Sequence, residues 1–92
     1  MNIPQITSID NALSVYYGFS EIGNKEIQKL FGKISPATVA KLKKVVIAEM
    51  NSRDKHTYGM YKVVTSIAFD VWGLDVLDLE SRRNKLKDLK LQ

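Results

Sequence analysis

The spacing of apolar residues is helical along most of this chain. Ile9 and Leu13 lie four residues apart after Ser8, a residue type that commonly caps a helix start, which predicts a first helix over residues 9–17. We expect Gly18 to end this helix in the left-handed conformation that glycine adopts readily. No segment alternates apolar and polar residues between turn residues, and no Asn-Gly or Asp-Gly turn occurs, so no sheet is expected.

Residues 24–50 predict two helices joined by a tight turn. Asn24 is a suitable cap for the first helix, which Gly32 should end. Ser35 is a suitable cap for the second, and Pro36 follows in its first turn, where the missing N–H of proline costs nothing. The apolar residues inside the two helices stand at helical spacing: Ile27, Leu30 and Phe31, then Val39, Leu42, Val46 and Met50.

The polar residues 51–57 are expected to connect this pair to a fourth helix over residues 58–71. Tyr58 and Tyr61 could stack on nucleobases, but their helical spacing beside valine and isoleucine favours the core. Trp72 should fill the joint between the last two helices.

The last predicted helix covers residues 75–90, after a break at Gly73 and a cap at Asp75. Its apolar stripe of Leu79, Leu86 and Leu89 leaves two alternatives: it packs on the core of its own chain, or it pairs with a second copy in a homodimer. The five helices predict an all-α fold, a compact bundle in which residues 1–92 form a single domain.

The positive charge of the chain is concentrated in one segment. Residues 24–44 contain six lysines and one acid, an excess of five positive charges, whereas the whole chain carries a net charge of +4. A local basic patch on a nearly balanced background is the electrostatic pattern of a polyanion binder, although a solvated lysine-rich helix has the same composition.

The segment NKEIQKLFGKISPATVAKLKK resembles the helix-turn-helix of bacterial and phage DNA-binding proteins. Gly32 stands at the turn and Ser35 at the start of the recognition helix. The positions that match inward-facing residues of the motif are Ile27, Phe31, Ile34, Val39 and Leu42. Two positions depart from the pattern: Gln28 replaces a small residue where the helices approach closely, and Lys33 lengthens the turn.

The resemblance implies a set of groove-facing positions, which are Ser35, Pro36, Ala37, Thr38, Ala40, Lys41 and Lys44. The candidates for contact with the phosphate backbone are Lys25, Lys29, Lys33 and Lys43. Lys41 is the best candidate for a base edge, because an ammonium can donate to guanine. The second helix has no arginine, and no asparagine lies on this surface, so modest sequence specificity is expected.

A small protein that binds double-stranded DNA is therefore the first hypothesis, and the resemblance suggests a regulator or accessory factor of a phage or mobile element. The alternatives are a helical protein-interaction module and an oligomeric phage packaging subunit.

The sequence favours neither an enzyme nor a cofactor or metal site. There is no cysteine, and His56 is the only histidine, expected at the surface in a polar connection. The first residues lack the pattern of a signal peptide, and no apolar run approaches the length of a membrane span, so a cytoplasmic protein without membrane association is expected.

Overall fold

A computed structural model describes residues 3–90 and has a mostly helical architecture. In that part of the chain the helices are α1 (Ile9–Gly18), α2 (Asn24–Phe31), α3 (Pro36–Ser52), α4 (Thr65–Val71) and α5 (Val76–Lys90). Two short strands, β1 (Glu21–Ile22) and β2 (Val63–Val64), form an antiparallel pair. The predicted helical class is confirmed, but the expectation of no sheet is wrong.

The two strands lie on either side of α2 and α3 in the sequence: β1 precedes α2, and β2 follows α3. Ile22 lies opposite Val63, and both side chains are fully buried. Next to this pair, the N–H of Thr65 donates to the carbonyl of Ser20 at 3.0 Å. Strands of two residues are too short to show an alternating pattern in the sequence, which explains why they were not predicted.

The first helix begins as predicted and ends differently. Ser8 is the N-cap, and its hydroxyl accepts the N–H of Asn11 at 3.0 Å. Gly18 is the last helical residue, but it does not adopt the left-handed conformation; the chain continues through Phe19 in an extended conformation with φ −139°. This exit is required because the chain enters β1 two residues later.

The cap of α2 lies one residue earlier than predicted. Gly23 is the N-cap, and Asn24 is the first helical residue rather than the cap. The carboxylate of Glu26 accepts the N–H of Gly23 at 2.9 Å, which satisfies a donor that the helix start leaves without a partner.

The end of α2 is fixed by a glycine and by the N-terminal segment. Gly32 has φ +83°, as its predicted role at the turn requires. The backbone N–H of Thr7 donates to the carbonyl of Leu30 at 2.7 Å, and its hydroxyl donates to the carbonyl of Lys29 at 3.0 Å. These bonds satisfy carbonyls in the last turn of α2 and so determine where the chain leaves for α3.

The start and the buried stripe of α3 are confirmed. The hydroxyl of Ser35 accepts the N–H of Thr38 at 3.1 Å, and Pro36 is the first helical residue. The four predicted core positions of the helix are all buried: Val39, Leu42, Val46 and Met50. They face α4 and β2, the elements against which α3 packs most extensively.

The predicted fourth helix begins too early, because α4 starts at Thr65 and not at Tyr58. Tyr58 and Tyr61 are exposed rather than in the core, and Tyr61 has φ +60°, which no helix allows. Pairing of Val63–Val64 with β1 draws this segment out of the helix that its apolar spacing would otherwise favour.

Trp72 packs beneath α2 and α3 rather than only between the last two helices. Its side chain is 4% exposed, and its indole N–H donates to the carbonyl of Leu42 at 3.2 Å. Its ring meets that of Phe31 edge to face, with centroids 5.4 Å apart. A single side chain after α4 therefore contacts the C-terminal end of α2 and the middle of α3.

The last helix begins as predicted, after Gly73 with φ +73° and with Asp75 as a cap whose carboxylate accepts the N–H groups of Leu77 and Asp78. α5 packs mainly on α1, where Arg83 forms an ion pair with Asp10 at 3.1 Å and the hydroxyl of Tyr17 bonds Glu80. None of the helices in residues 3–90 has the length and apolar composition of a membrane crossing.

Candidate nucleic-acid interface

The side of α3 opposite its buried stripe forms an exposed surface, here called the outer face. It consists of two lysines and four small or aliphatic residues: Ala37, Ala40, Lys41, Lys44, Ile47 and Ala48. Sequence reasoning did not include Ile47 and Ala48, although they continue the same face one turn beyond Lys44. Short alanine side chains let a ligand approach the helix backbone closely, while the lysines reach past them.

The outer face is electropositive. Lys41 and Lys44 are exposed and form no ion pair with any described residue. Glu49, the one acid in the sequence of α3, is engaged by Arg53 at 2.8 Å, and Arg53 also bonds Asp70 of α4 at 3.0 Å. The carboxylate nearest the two lysines along the helix is therefore already neutralised by a cation.

The N-terminal end of α3 presents the remaining predicted positions of this helix. Ser35 and Pro36 are exposed, and Thr38 is half-buried. The hydroxyls of Ser35 and Thr38 lie 2.9 Å apart and bond each other. Lys33 is exposed in the turn just before them. Lys33, the capping hydroxyls and the outer face therefore follow one another along the chain at the start of α3.

Lys25 and Lys29 lie on a different side of α2. The ammonium of Lys29 donates to the hydroxyl of Ser14 in α1 at 3.3 Å, so this side chain reaches toward α1. Lys25 precedes it by one helical turn and shares its face. The predicted set of lysines is therefore divided into a group on the turn and α3 and a pair beside α1.

A groove of about 250 Å³ separates the first turns of α2 from those of α3. Gln28 lies in it, together with Asn24, Pro36, Val39, Ala40 and Lys43. The glutamine that departs from the family pattern is thus exposed at the edge of an open groove. Polar side chains and a small alanine line its opening.

Lys43 does not extend freely toward a ligand, contrary to its predicted place among the phosphate contacts. It is half-buried, and its ammonium donates to the carbonyl of Tyr61 at 2.5 Å. Burial lowers the pKa of this ammonium. The side chain instead connects α3 to the loop that follows it.

That loop, residues 55–62, is here called the tyrosine loop. The carboxylate of Glu21 accepts two of its backbone N–H groups, from Tyr58 at 2.6 Å and from Gly59 at 2.9 Å. The hydroxyl of Thr57 donates to the carbonyl of Gly59 at 3.1 Å. Together with the bond from Lys43, these contacts hold the loop backbone in a defined shape on the side of β1 and α3.

The hydrogen bonds between the carboxylate of Glu21 and the tyrosine loop are expected to depend on pH. The N–H groups of Tyr58 and then Gly59, with a smaller contribution from Lys62, lower the pKa of this carboxyl below its ordinary value of 4.5. A lowered pKa in the folded state means that the interaction is fully present above pH 4.5 and is lost as the pH falls through the folded-state value.

Nuclear magnetic resonance can follow the two amide protons during an acid titration. The resonances of Tyr58 and Gly59 should move together with a midpoint below 4.5, and Glu21→Gln should abolish that movement. A midpoint at or above 4.5 would contradict the assigned hydrogen bonds.

His56 is exposed, as predicted, with its Nε2 3.5 Å from the carboxylate of Asp54. Within residues 3–90 no three side chains of the metal-ligating types come together.

Comparison with known proteins finds no matching family model, no matching curated protein and no matching solved structure.

Proposed function

We propose that the protein binds double-stranded DNA, with α2 and α3 acting as a helix-turn-helix and α3 as the helix that enters the major groove. The observation that carries the proposal is the outer face of α3, where Lys41 and Lys44 stand exposed among small side chains and the only acid of the helix is engaged by Arg53. An exposed, basic helix whose outer face carries short side chains fits into the major groove of DNA.

The contacts divide into two kinds in this proposal. Lys41 and Lys44 extend from the middle of the outer face, with Lys41 toward a guanine edge, while Ala37 and Ala40 contact thymine methyl groups. Lys33 and the hydroxyls of Ser35 and Thr38 bind phosphates near the helix start, where the helix dipole also favours an anion. Lys25 and Lys29, beside α1, reach only flanking phosphates. A regulator or accessory factor of a phage or mobile element is the role we propose.

Titration of the labelled protein with a mixed-sequence duplex, followed by nuclear magnetic resonance, tests the proposal. The amide shifts should be largest at residues 33–44 and weaken as salt is added, because displaced counterions dominate such binding. Shifts confined to α5, or no shifts at low salt, would contradict it and would favour a protein-interaction module.

We further propose that two copies associate through the C-terminal half of α5. Leu79 is buried within its own chain, as one of the two alternatives predicts, whereas Leu86 and Leu89 are 50% and 67% exposed. Pairing them across copies would join two weakly specific recognition helices.

Light scattering should give a dimer mass that Leu86→Glu with Leu89→Glu reduces to a monomer. A larger stable assembly would favour the packaging subunit.

A further inference from the structure

The tyrosine loop carries the three most exposed large hydrophobic side chains among the described residues. Tyr58 is 102% exposed, Tyr61 82% and Met60 79%. Isolated apolar residues are common on protein surfaces, but three within four residues are a local concentration of the kind found at interaction sites. The helical spacing that predicted a core role for these tyrosines does not apply, because the segment is not a helix.

The loop presents these side chains on a backbone that is already ordered. Glu21 holds the amides of Tyr58 and Gly59, and Lys43 holds the carbonyl of Tyr61. A ligand therefore meets rings whose backbone positions need little further ordering, which lowers the entropic cost of binding.

The tyrosine loop lies beside α3 and carries positive charge. Lys43 belongs to α3, so its bond to the carbonyl of Tyr61 places the loop alongside this helix. The loop contains Lys55 and Lys62 and no acid. The carboxylate beneath it, Glu21, accepts two amide N–H groups, and Lys62 lies near enough to lower its pKa.

We infer that the tyrosine loop is a second DNA-contacting element, which enters the minor groove adjoining the major groove that α3 occupies. This inference rests on the proposed function. Tyr58, Met60 and Tyr61 pack against the sugar walls of the groove and at the edge of a base step, while Lys55 reaches a bordering phosphate. Apolar side chains inserted in this way are a common means of minor-groove binding, and the flanking phosphates explain the positive charge.

Fluorescence anisotropy with a blunt duplex tests the inference through Tyr58→Ala with Tyr61→Ala. We expect affinity to fall by at least about 5-fold, the lower end of the effect of removing an aromatic contact to nucleic acid. The dependence of affinity on salt should stay unchanged, because no charge is removed. Tyr58→Phe with Tyr61→Phe should retain most of the affinity, since the ring faces remain.

Two controls establish that the effect belongs to the loop. Leu77→Ala removes an apolar side chain that is 76% exposed on α5, and it should leave affinity unchanged. The melting temperature of the tyrosine variant should also match that of the parent protein, because rings this exposed contribute little to the folded core.

The outcomes separate the inference from the function on which it rests. Parent-like affinity of the Tyr→Ala variant, with binding still lost when Lys41 and Lys44 are reversed, would overturn the inference and leave the proposed function in place. A loss seen only on a duplex carrying a single-stranded extension would also overturn it, in favour of stacking on unpaired bases. Absence of duplex binding by the parent protein would contradict both the inference and the proposed function.

Discussion

Lys41→Glu combined with Lys44→Glu is expected to lower the affinity for duplex DNA by roughly 100-fold or more at moderate salt. Both side chains lie exposed on the outer face of α3 without an ionic partner among the described residues, so their charge is available to the polyanion. Reversal removes two attractive contacts and introduces two repulsive ones. Anisotropy titrations over a salt series measure the effect, and the dependence of log affinity on log salt should become shallower.

The matched control reverses the same number of charges elsewhere. Lys85 and Lys87 are exposed on α5, and their replacement by glutamate changes the net charge equally. Because these lysines flank Leu86 in the proposed contact between copies, light scattering must first show that this variant keeps the oligomeric state of the parent protein. If DNA binding depended on total charge alone, both double variants would lose affinity to the same extent. Equal losses would therefore contradict the assignment of the outer face. Lys41→Gln with Lys44→Gln, which removes charge without reversing it, should give an intermediate loss.

Trp72→Ala is expected to lower the free energy of unfolding by about 3–5 kcal/mol. The side chain is 4% exposed, so truncation leaves a cavity beneath α3 and removes the edge-to-face contact with Phe31. It also removes the hydrogen bond to the carbonyl of Leu42. A loss of this size is a large share of the stability of a small domain. Urea denaturation followed by circular dichroism measures it, since the fluorescent residue itself is replaced.

Two further variants make this result specific. Trp72→Phe keeps most of the apolar volume and removes the N–H donor, so its cost should be smaller and include about 1 kcal/mol for the lost hydrogen bond. Leu77→Ala, on the exposed side of α5, should change stability by no more than about 0.5 kcal/mol. A Trp72→Ala variant as stable as the Leu77→Ala variant would show that Trp72 does not support α2 and α3 as described.

The features predicted correctly from the sequence are those determined within a few residues. Ser8, Ser35 and Asp75 cap helices because each side chain accepts an N–H two or three residues further along the chain. The turn at Gly32 and the buried stripe of α3 likewise depend on local conformation and local spacing. For the same reason the outer face, which is opposite that stripe, followed from the sequence with only its far end missing.

The features that were missed depend on contacts between distant parts of the chain. Glu21 bonds the amide of Tyr58, 37 residues away, and β1 pairs with β2 just beyond the loop; together these contacts hold the tyrosines outside the helix that their spacing favours. Nothing in the sequence distinguishes Lys43 from Lys41 or Lys44. Only the folded structure shows that its ammonium bonds the carbonyl of Tyr61 in the tyrosine loop. The division of the lysines between α3 and the α1 side of α2 similarly requires the bond to Ser14.

The pairing of β1 with β2 has a consequence for the order of folding. Ile22 and Val63 are 41 residues apart, and closing a chain of that length costs about 3 kcal/mol in entropy. A strand pair of two residues contributes a net stabilisation of only about 1 kcal/mol per hydrogen bond and cannot offset that cost alone. We therefore expect α2, α3 and the residues buried between them to assemble before the strands meet, so that Ile22 and Val63 are buried on a surface that already exists. The tyrosine loop is expected to take its shape last, and in partial unfolding it should be the first of these segments to be released.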